Sequence, residues 1–288
     1  MYKFLLLLLP SLACGQPGTA TLPEENEATE VVEDFQYADP EGLTIESRFP
    51  LPEGWRRAAF ENDGFGAYLR RLPLKPAGTD VRLYNGRTKY NYNVYAAVVD
   101  LPIGKRDLHQ CADAVMRLWA DYCRASGQPE KIHFQFTNGF KADYVRWKQG
   151  ARIAVNGNNV SWKPGYAPSD SDQSYWQYLE MVFSYAGTLS LSRELKTVSV
   201  DQMQVGDIFI QGGSPGHAVI VVDIAENTNT GERMFMLAQS YMPAQEIQIL
   251  LHPGSADTSI WYPLDFGETL YTPEWRFSSR DLKRFEGW

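Results

Sequence analysis

The clearest pattern in the chain is a pair of apolar runs, Ala218–Ile224 and Met234–Ala238, separated by the polar stretch Glu226–Glu232. Both runs have strand length, and the stretch between them carries Asn, Thr and Gly, so the pair predicts an antiparallel hairpin. With its turn centred near position 229, position 217 falls opposite 241. That places Gln239 and Ser240 within a residue or two of His217. A further strand is expected at Ile208–Gln211. The clearest helix covers 107–126, with Asp107 as cap, Gln110 three places on, and Leu108, Cys111, Val115, Leu118 and Tyr122 as one apolar stripe ending at Gly127. A second helix is predicted from Ser174 to Ala186, capped by Ser174 with Gln177 and stopped by Gly187.

Upstream the alternation is shorter. Residues 43–102 read as β-rich, with strands expected at Leu43–Arg48, Phe65–Leu69, Val81–Tyr84 and Val94–Val99, and with Asn62-Asp63-Gly64 and Asn85-Gly86 as turns. Lys131–Phe136 and Tyr144–Trp147 have strand character, and residues 156–172 read as irregular. The whole is an α+β pattern. Residues 35–164 form a β-rich region carrying the 107–126 helix, and residues 165–288 form a second unit.

The extreme N-terminus changes the picture. Lys3, the apolar run Phe4–Leu9 and the small residues that follow read as a signal peptide over residues 1–13. The run falls short of the ~20 apolar residues that span a bilayer. Cys14, directly after Ala13, is the expected site of lipidation, with Ser11 departing from the usual leucine of that signal. Residues 14–34 then serve as an acidic tether, with six carboxylates and no base between positions 15 and 34. Those carboxylates account for most of the net charge of −8, so the body of the chain is nearly neutral. A nearly neutral body has no basic excess to hold a phosphate backbone, which argues against nucleic acid as a partner. The expected location is the cell envelope, with membrane contact through the lipid alone.

Candidate chemistry is sparse. His109, His133, His217 and His252 are scattered, with no metal-ligand spacing, no phosphate loop and no dinucleotide fingerprint, so neither a metal nor another cofactor is expected. Cys111 and Cys123 sit 12 residues apart in one helix, ~18 Å along its axis. A disulfide needs Cα atoms within ~7 Å, so the two cannot pair while the helix exists. Cys111 is placed both in a first helical turn, which favours a thiolate, and on the apolar stripe, which favours an inert core thiol. His217 follows the flexible loop Gly212-Gly213-Ser214-Pro215-Gly216 and precedes an apolar strand, a rigid yet reachable position for a base. Gln239 has an amide oxygen suited to orienting that imidazole. Trp162 and Trp176, flanking the irregular stretch, are candidates for ligand stacking.

Residues 172–224 resemble the core of the NlpC/P60 group of papain-like cysteine peptidases and amidases. The likeness rests on a helix ending in Tyr185-Ala186-Gly187, on Val205-Gly206-Asp207-Ile208-Phe209-Ile210, and on Gly216-His217-Ala218-Val219-Ile220-Val221-Val222. It implies a papain-like fold over 165–288, His217 as catalytic base, and a peptide or glycopeptide such as cell-wall material as ligand, with Gly216 beside it. It also implies a nucleophilic cysteine at the start of the helix that begins Asp172-Gln173-Ser174, where none stands. Cys111 is left as the nucleophile, with Ser174 the alternative and a catalytically inactive binding module the competing reading. Over the chain as a whole, Asp107-Leu108-His109-Gln110-Cys111-Ala112-Asp113-Ala114-Val115-Met116-Arg117 and Ala238-Gln239-Ser240-Tyr241-Met242-Pro243-Ala244-Gln245 resemble the family named domain of unknown function 4846, which implies no activity.

Overall fold

The hairpin organises everything else. In a computed structural model, which describes residues 38–59, 64–254 and 259–287, strand His217–Asn227 pairs antiparallel with Arg233–Gln239. The signal peptide, the tether and Cys14 lie outside the described residues. Every residue from 217 to 225 is buried, including the polar His217 and Asp223 among apolar neighbours. Around this pair runs a sheet of nine strands with antiparallel pairings throughout. Across it the order is Tyr95–Val98, Gln248–Leu250, Arg233–Gln239, His217–Asn227, Ile208–Gln211, Leu282–Arg284 and Lys196–Thr197. Two short strands complete the nine: Trp55–Arg57 pairs with the far end of the 217 strand, and Tyr262–Pro263 pairs with the 233 strand at Met234 and Phe235. The sheet thus draws strands from both sides of position 165, and Gln36–Trp288 forms one compact unit. The architecture is α+β, built on a large antiparallel sheet.

Helix Cys111–Ala125 packs against the 217 strand. Its first ten residues are all buried, not only the expected stripe, because neighbouring helices cover the side turned away from the sheet. Leu108 precedes the helix, and the residue at its start is Gln110, whose backbone N–H donates to Asp113 Oδ2 at 3.0 Å. Asp107 does not cap: its Oδ1 accepts from the Gln110 side chain at 3.1 Å and from the Ala244 N–H at 2.7 Å, tying two loops together. Cys111 and Cys123 are both free and buried.

Several expected strands are short helices. Ile45–Arg48 is helical because Thr44 and Ser47 cap each other reciprocally, at 3.2 and 3.0 Å. Tyr144–Lys148 is helical because Asp143 accepts the Arg146 N–H at 3.1 Å. Phe65–Arg70 is a helix too, fixed at its end by Arg70. Val81–Tyr84 makes only isolated bridges, including Leu83 with Gln245. The stretch read as irregular contains Asn159–Lys163, which pairs with Arg152–Asn156 in a hairpin. Thr188–Glu194 forms a further short helix.

One buried carboxylate ties the N-terminal segments to the sheet. Asp223, fully buried, accepts from Arg57 Nε at 2.8 Å, Arg70 Nε at 2.5 Å and the Ile224 N–H at 2.8 Å. Burial raises its pKa, and the two guanidinium groups pull it back down. Removing one member of such a cluster leaves uncompensated charge in a dry site. Asp223→Ala is therefore expected to destabilise the protein by roughly 3–5 kcal/mol in denaturant titrations; a loss under ~1 kcal/mol would show that the cluster contributes little.

Candidate functional site

His217 opens its strand and is 2% exposed. Its ring lies against Tyr241 (centroids 4.9 Å apart), Trp275 (5.3 Å) and Phe277 (6.0 Å), which form a dry aromatic wall. The register pairs Ala238 with Ile220; carried one step on, it sets Gln239 opposite Val219, which shares a face with His217. Gln239 Oε1 stands 2.7 Å from His217 Nε2. The Gln239 amide nitrogen donates to Glu274 Oε2 at 2.7 Å. Glu274 also takes both hydrogen bonds of a bidentate Lys89 ammonium, at 2.9 and 2.8 Å, and one from Asn91 at 3.2 Å. The result is a chain running Lys89–Glu274–Gln239–His217.

Gln239 presents its oxygen to the ring, so Nε2 carries the proton and donates. Nδ1 is left unprotonated and accepts no hydrogen bond from the described residues. Burial pushes the imidazole pKa down to about 4; the Gln239 hydrogen bond and the Glu274 charge raise it, and Lys89 lowers it. Burial also lowers the Lys89 pKa, against the pull of Glu274. The ring is neutral at physiological pH.

Cys111 reaches the same corner. It is the first residue of its helix, and its thiol faces the backbone N–H of Ala218, the residue next to His217. The preceding loop is anchored there as well, because Ser240 Oγ donates to the His109 and Gln245 carbonyls. Among the described residues no hydrogen bond joins Cys111 to His217. Burial lifts the thiol pKa to about 11, the Asp113 carboxylate adds to the rise, and the Ala112 and Ala218 N–H groups oppose it.

The remaining expected residues lie elsewhere. Ser174 does not cap its helix; that role belongs to Ser171, whose Oγ accepts the Ser174 N–H at 3.2 Å in helix Asp172–Tyr185. The Ser174 hydroxyl is buried and accepts from Trp147 Nε1 at 3.2 Å. Trp162 packs on Phe140 under Arg146, and Trp176 packs on Phe183 under Arg117. Neither ring is among the aromatic contacts of His217. Gly216 is packed so closely that a Cβ would lie 2.4 Å from Thr188 Oγ1 and 2.7 Å from the Gly213 carbonyl, so its place there is steric. Among the described residues no cluster of His, Cys, Asp or Glu could hold a metal ion, and no helix is long and apolar enough to cross a membrane.

Glu274, Lys89, Tyr241 and Trp275 went unread in the sequence. Glu274 and Lys89 lie 185 positions apart, so no spacing signals their pairing. The only local hint is Lys89-Tyr90-Asn91-Tyr92, in which buried Lys89 and exposed Asn91 both donate to Glu274 while Tyr90 and Tyr92 stay exposed.

The family model described as "Domain of unknown function (4846)" matches residues 45–284, which include every residue of this constellation. The chain belongs to the domain of unknown function 4846 family. No curated protein and no solved structure matches it. In this member of the family the site has a signature in stability as well as in chemistry. An imidazole with pKa about 4 in the folded state and about 6.5 unfolded takes up protons more readily when unfolded. Stability is therefore unaffected by this group above about pH 6.5 and falls as pH drops from about 6.5 to about 4, by about 3 kcal/mol. His217→Gln should remove that share, so variant and wild type should differ in pH slope across that window; parallel slopes would mean that the ring is not buried neutral.

Proposed function

We propose that this protein is a cell-envelope amidase or peptidase of papain-like, NlpC/P60-type design, acting on peptide or glycopeptide such as cell-wall stems. The observation that carries the reading is the orientation of His217, whose Nε2 is held by Gln239 at 2.7 Å, with the Cys111 thiol facing the N–H of Ala218, the residue next to His217. A cysteine hydrolase needs that polarity, with one ring nitrogen oriented by an amide and the other turned to the thiol. Cys111 Sγ attacks the substrate carbonyl carbon and gives its proton to His217 Nδ1. The protonated ring then returns that proton to the leaving amine, and water releases the acyl group by the same route. The N–H groups of the first helical turn are suited to the developing oxyanion. The pairing of sulfur and imidazole tightens on substrate binding, as catalytic hydrogen bonds commonly do. The signal-like N-terminus and Cys14 support export and a lipid anchor.

A second reading is favoured by a separate observation. The thiol is buried, with its pKa pushed up to about 11, and this is the state of a core cysteine. On that reading the same corner binds peptide or glycopeptide without cleaving it.

The two readings separate in one experiment on purified protein with cell-wall stem peptides. If the hydrolase reading holds, new amines appear, and Cys111→Ser and His217→Gln each reduce the rate by at least about a hundredfold. Resting Cys111 is slow toward iodoacetamide at about pH 8, below its raised pKa, and its labelling accelerates when stem peptide is present. Binding without new amines, together with a thiol that labels only on unfolding, would establish the binding module.

A further inference from the structure

We propose that Glu274, clamped by Lys89, is a positioning residue that selects the tautomer of His217 through the amide of Gln239. The inference rests on His217 being the working group of the site, and it concerns what sets that group's chemistry.

The contact between Gln239 and His217 is ambiguous by itself. A glutamine amide is nearly symmetric in shape, and an imidazole has two tautomers of equal bulk. The contact of His217 with Gln239 can therefore be made in two ways. Either the ring donates from Nε2 to the amide oxygen, or the amide nitrogen donates to an unprotonated Nε2 and the proton moves to Nδ1. The second arrangement would leave the unprotonated nitrogen engaged by the amide, with no free lone pair on the ring. Nothing in the pair itself chooses between them.

Glu274 chooses. A carboxylate only accepts, so the amide atom 2.7 Å from its Oε2 has to be the nitrogen, and the atom 2.7 Å from His217 has to be the oxygen. The inverted amide would set its oxygen against the carboxylate and lose a charge-assisted hydrogen bond, which favours the observed orientation at least about tenfold. For this to work Glu274 must be held in place. Lys89 meets both oxygens, Asn91 meets Oε1, and Lys89 also lies over the Tyr241 ring at 5.1 Å. Only 6% of the Lys89 side chain and 11% of the Glu274 side chain are exposed. Taking such a pair out of water is a poor route to stability, because the desolvation cost offsets much of the attraction. An orientation that no neutral group could impose gives the pair a purpose.

The test is a long-range proton–nitrogen NMR correlation on the full chain, labelled with nitrogen-15 histidine, at about pH 7, where a neutral ring is expected. The four histidines are resolved by assigning His217 from the His217→Gln spectrum. The wild type is expected to show one tautomer, protonated at Nε2 and unprotonated at Nδ1. In Glu274→Gln, position 274 can donate as well as accept, so the preference should fall toward parity and both ring nitrogens should take intermediate shifts. Asn91→Ala removes a neighbour of Glu274 but not its acceptor, and should keep the wild-type spectrum. A wild-type ring protonated at Nδ1, or a Glu274→Gln ring indistinguishable from wild type, would overturn the proposal. The wild-type spectrum alone is decisive if Glu274→Gln does not fold. Failure to cleave stem peptides with the Nε2–H tautomer intact would count against the hydrolase reading only.

Discussion

The pairing of Ile220 with Ala238 is the constraint on which the site depends. Side chains alternate faces along a strand, so a slip of one residue would carry Gln239 to the opposite face of the sheet and leave His217 without its acceptor. The register is held from both sides. Residues 217–225 are buried, so displacing them would expose apolar surface. On the neighbouring strand a shift in register between Met236 and Leu237 brings the pairing at the turn into phase with the pairing at the site. Phe209, Phe235, Phe266 and Phe277 pack ring to ring, and Phe277 continues this cluster to the imidazole. The rigidity of the core is thereby transmitted to the base.

The same constraint explains which parts of the molecule were legible beforehand. A hairpin with a polar turn has a centre of symmetry that can be counted, and the count set 217 opposite 241 and so near Gln239. The helix expected at 107–126 was readable from its apolar stripe, although it begins four residues later, at Cys111. The short helices at Ile45–Arg48 and Tyr144–Lys148 were not, because a single capping side chain overrides the strand preference of their apolar residues. Phe65–Arg70 depends on Arg70 reaching Asp223, a contact across 153 positions with no local signature. Glu274 was hidden for the same reason. Its significance lies in meeting Lys89 and Gln239 in space, while its own surroundings in sequence, Thr272-Pro273-Glu274-Trp275, look like an ordinary turn.

The two halves of the proposed reaction centre are prepared to different degrees. At Cys111 two effects oppose each other. The helix start favours a thiolate by at most ~2 kcal/mol. The rise from 9 to about 11 amounts to about 3 kcal/mol against the thiolate, with those favourable N–H groups already counted. Desolvation therefore wins, and the resting sulfur is a thiol. His217 is also neutral at rest, for the same physical reason, since a dry aromatic wall penalises its charge. The centre therefore does not rest as the thiolate–imidazolium pair that many cysteine hydrolases maintain.

A neutral pair changes where the charge must be accommodated. In the proposed transfer of the sulfur proton to Nδ1, the imidazolium would be stabilised through Gln239 by Glu274, whose charge already raises the ring's proton affinity. Lys89 works against that step by lowering the same affinity, yet its two hydrogen bonds hold both oxygens of Glu274 in place. The arrangement gives up some basicity in His217 in return for a fixed proton position. On the sulfur side the corresponding stabilisation has to come from the helix N–H groups and from a ligand that displaces water and draws Cys111 toward the ring. On the proposed hydrolase reading the order of events follows: the imidazole is oriented before any ligand arrives, and the thiol becomes reactive only when the ligand is in place.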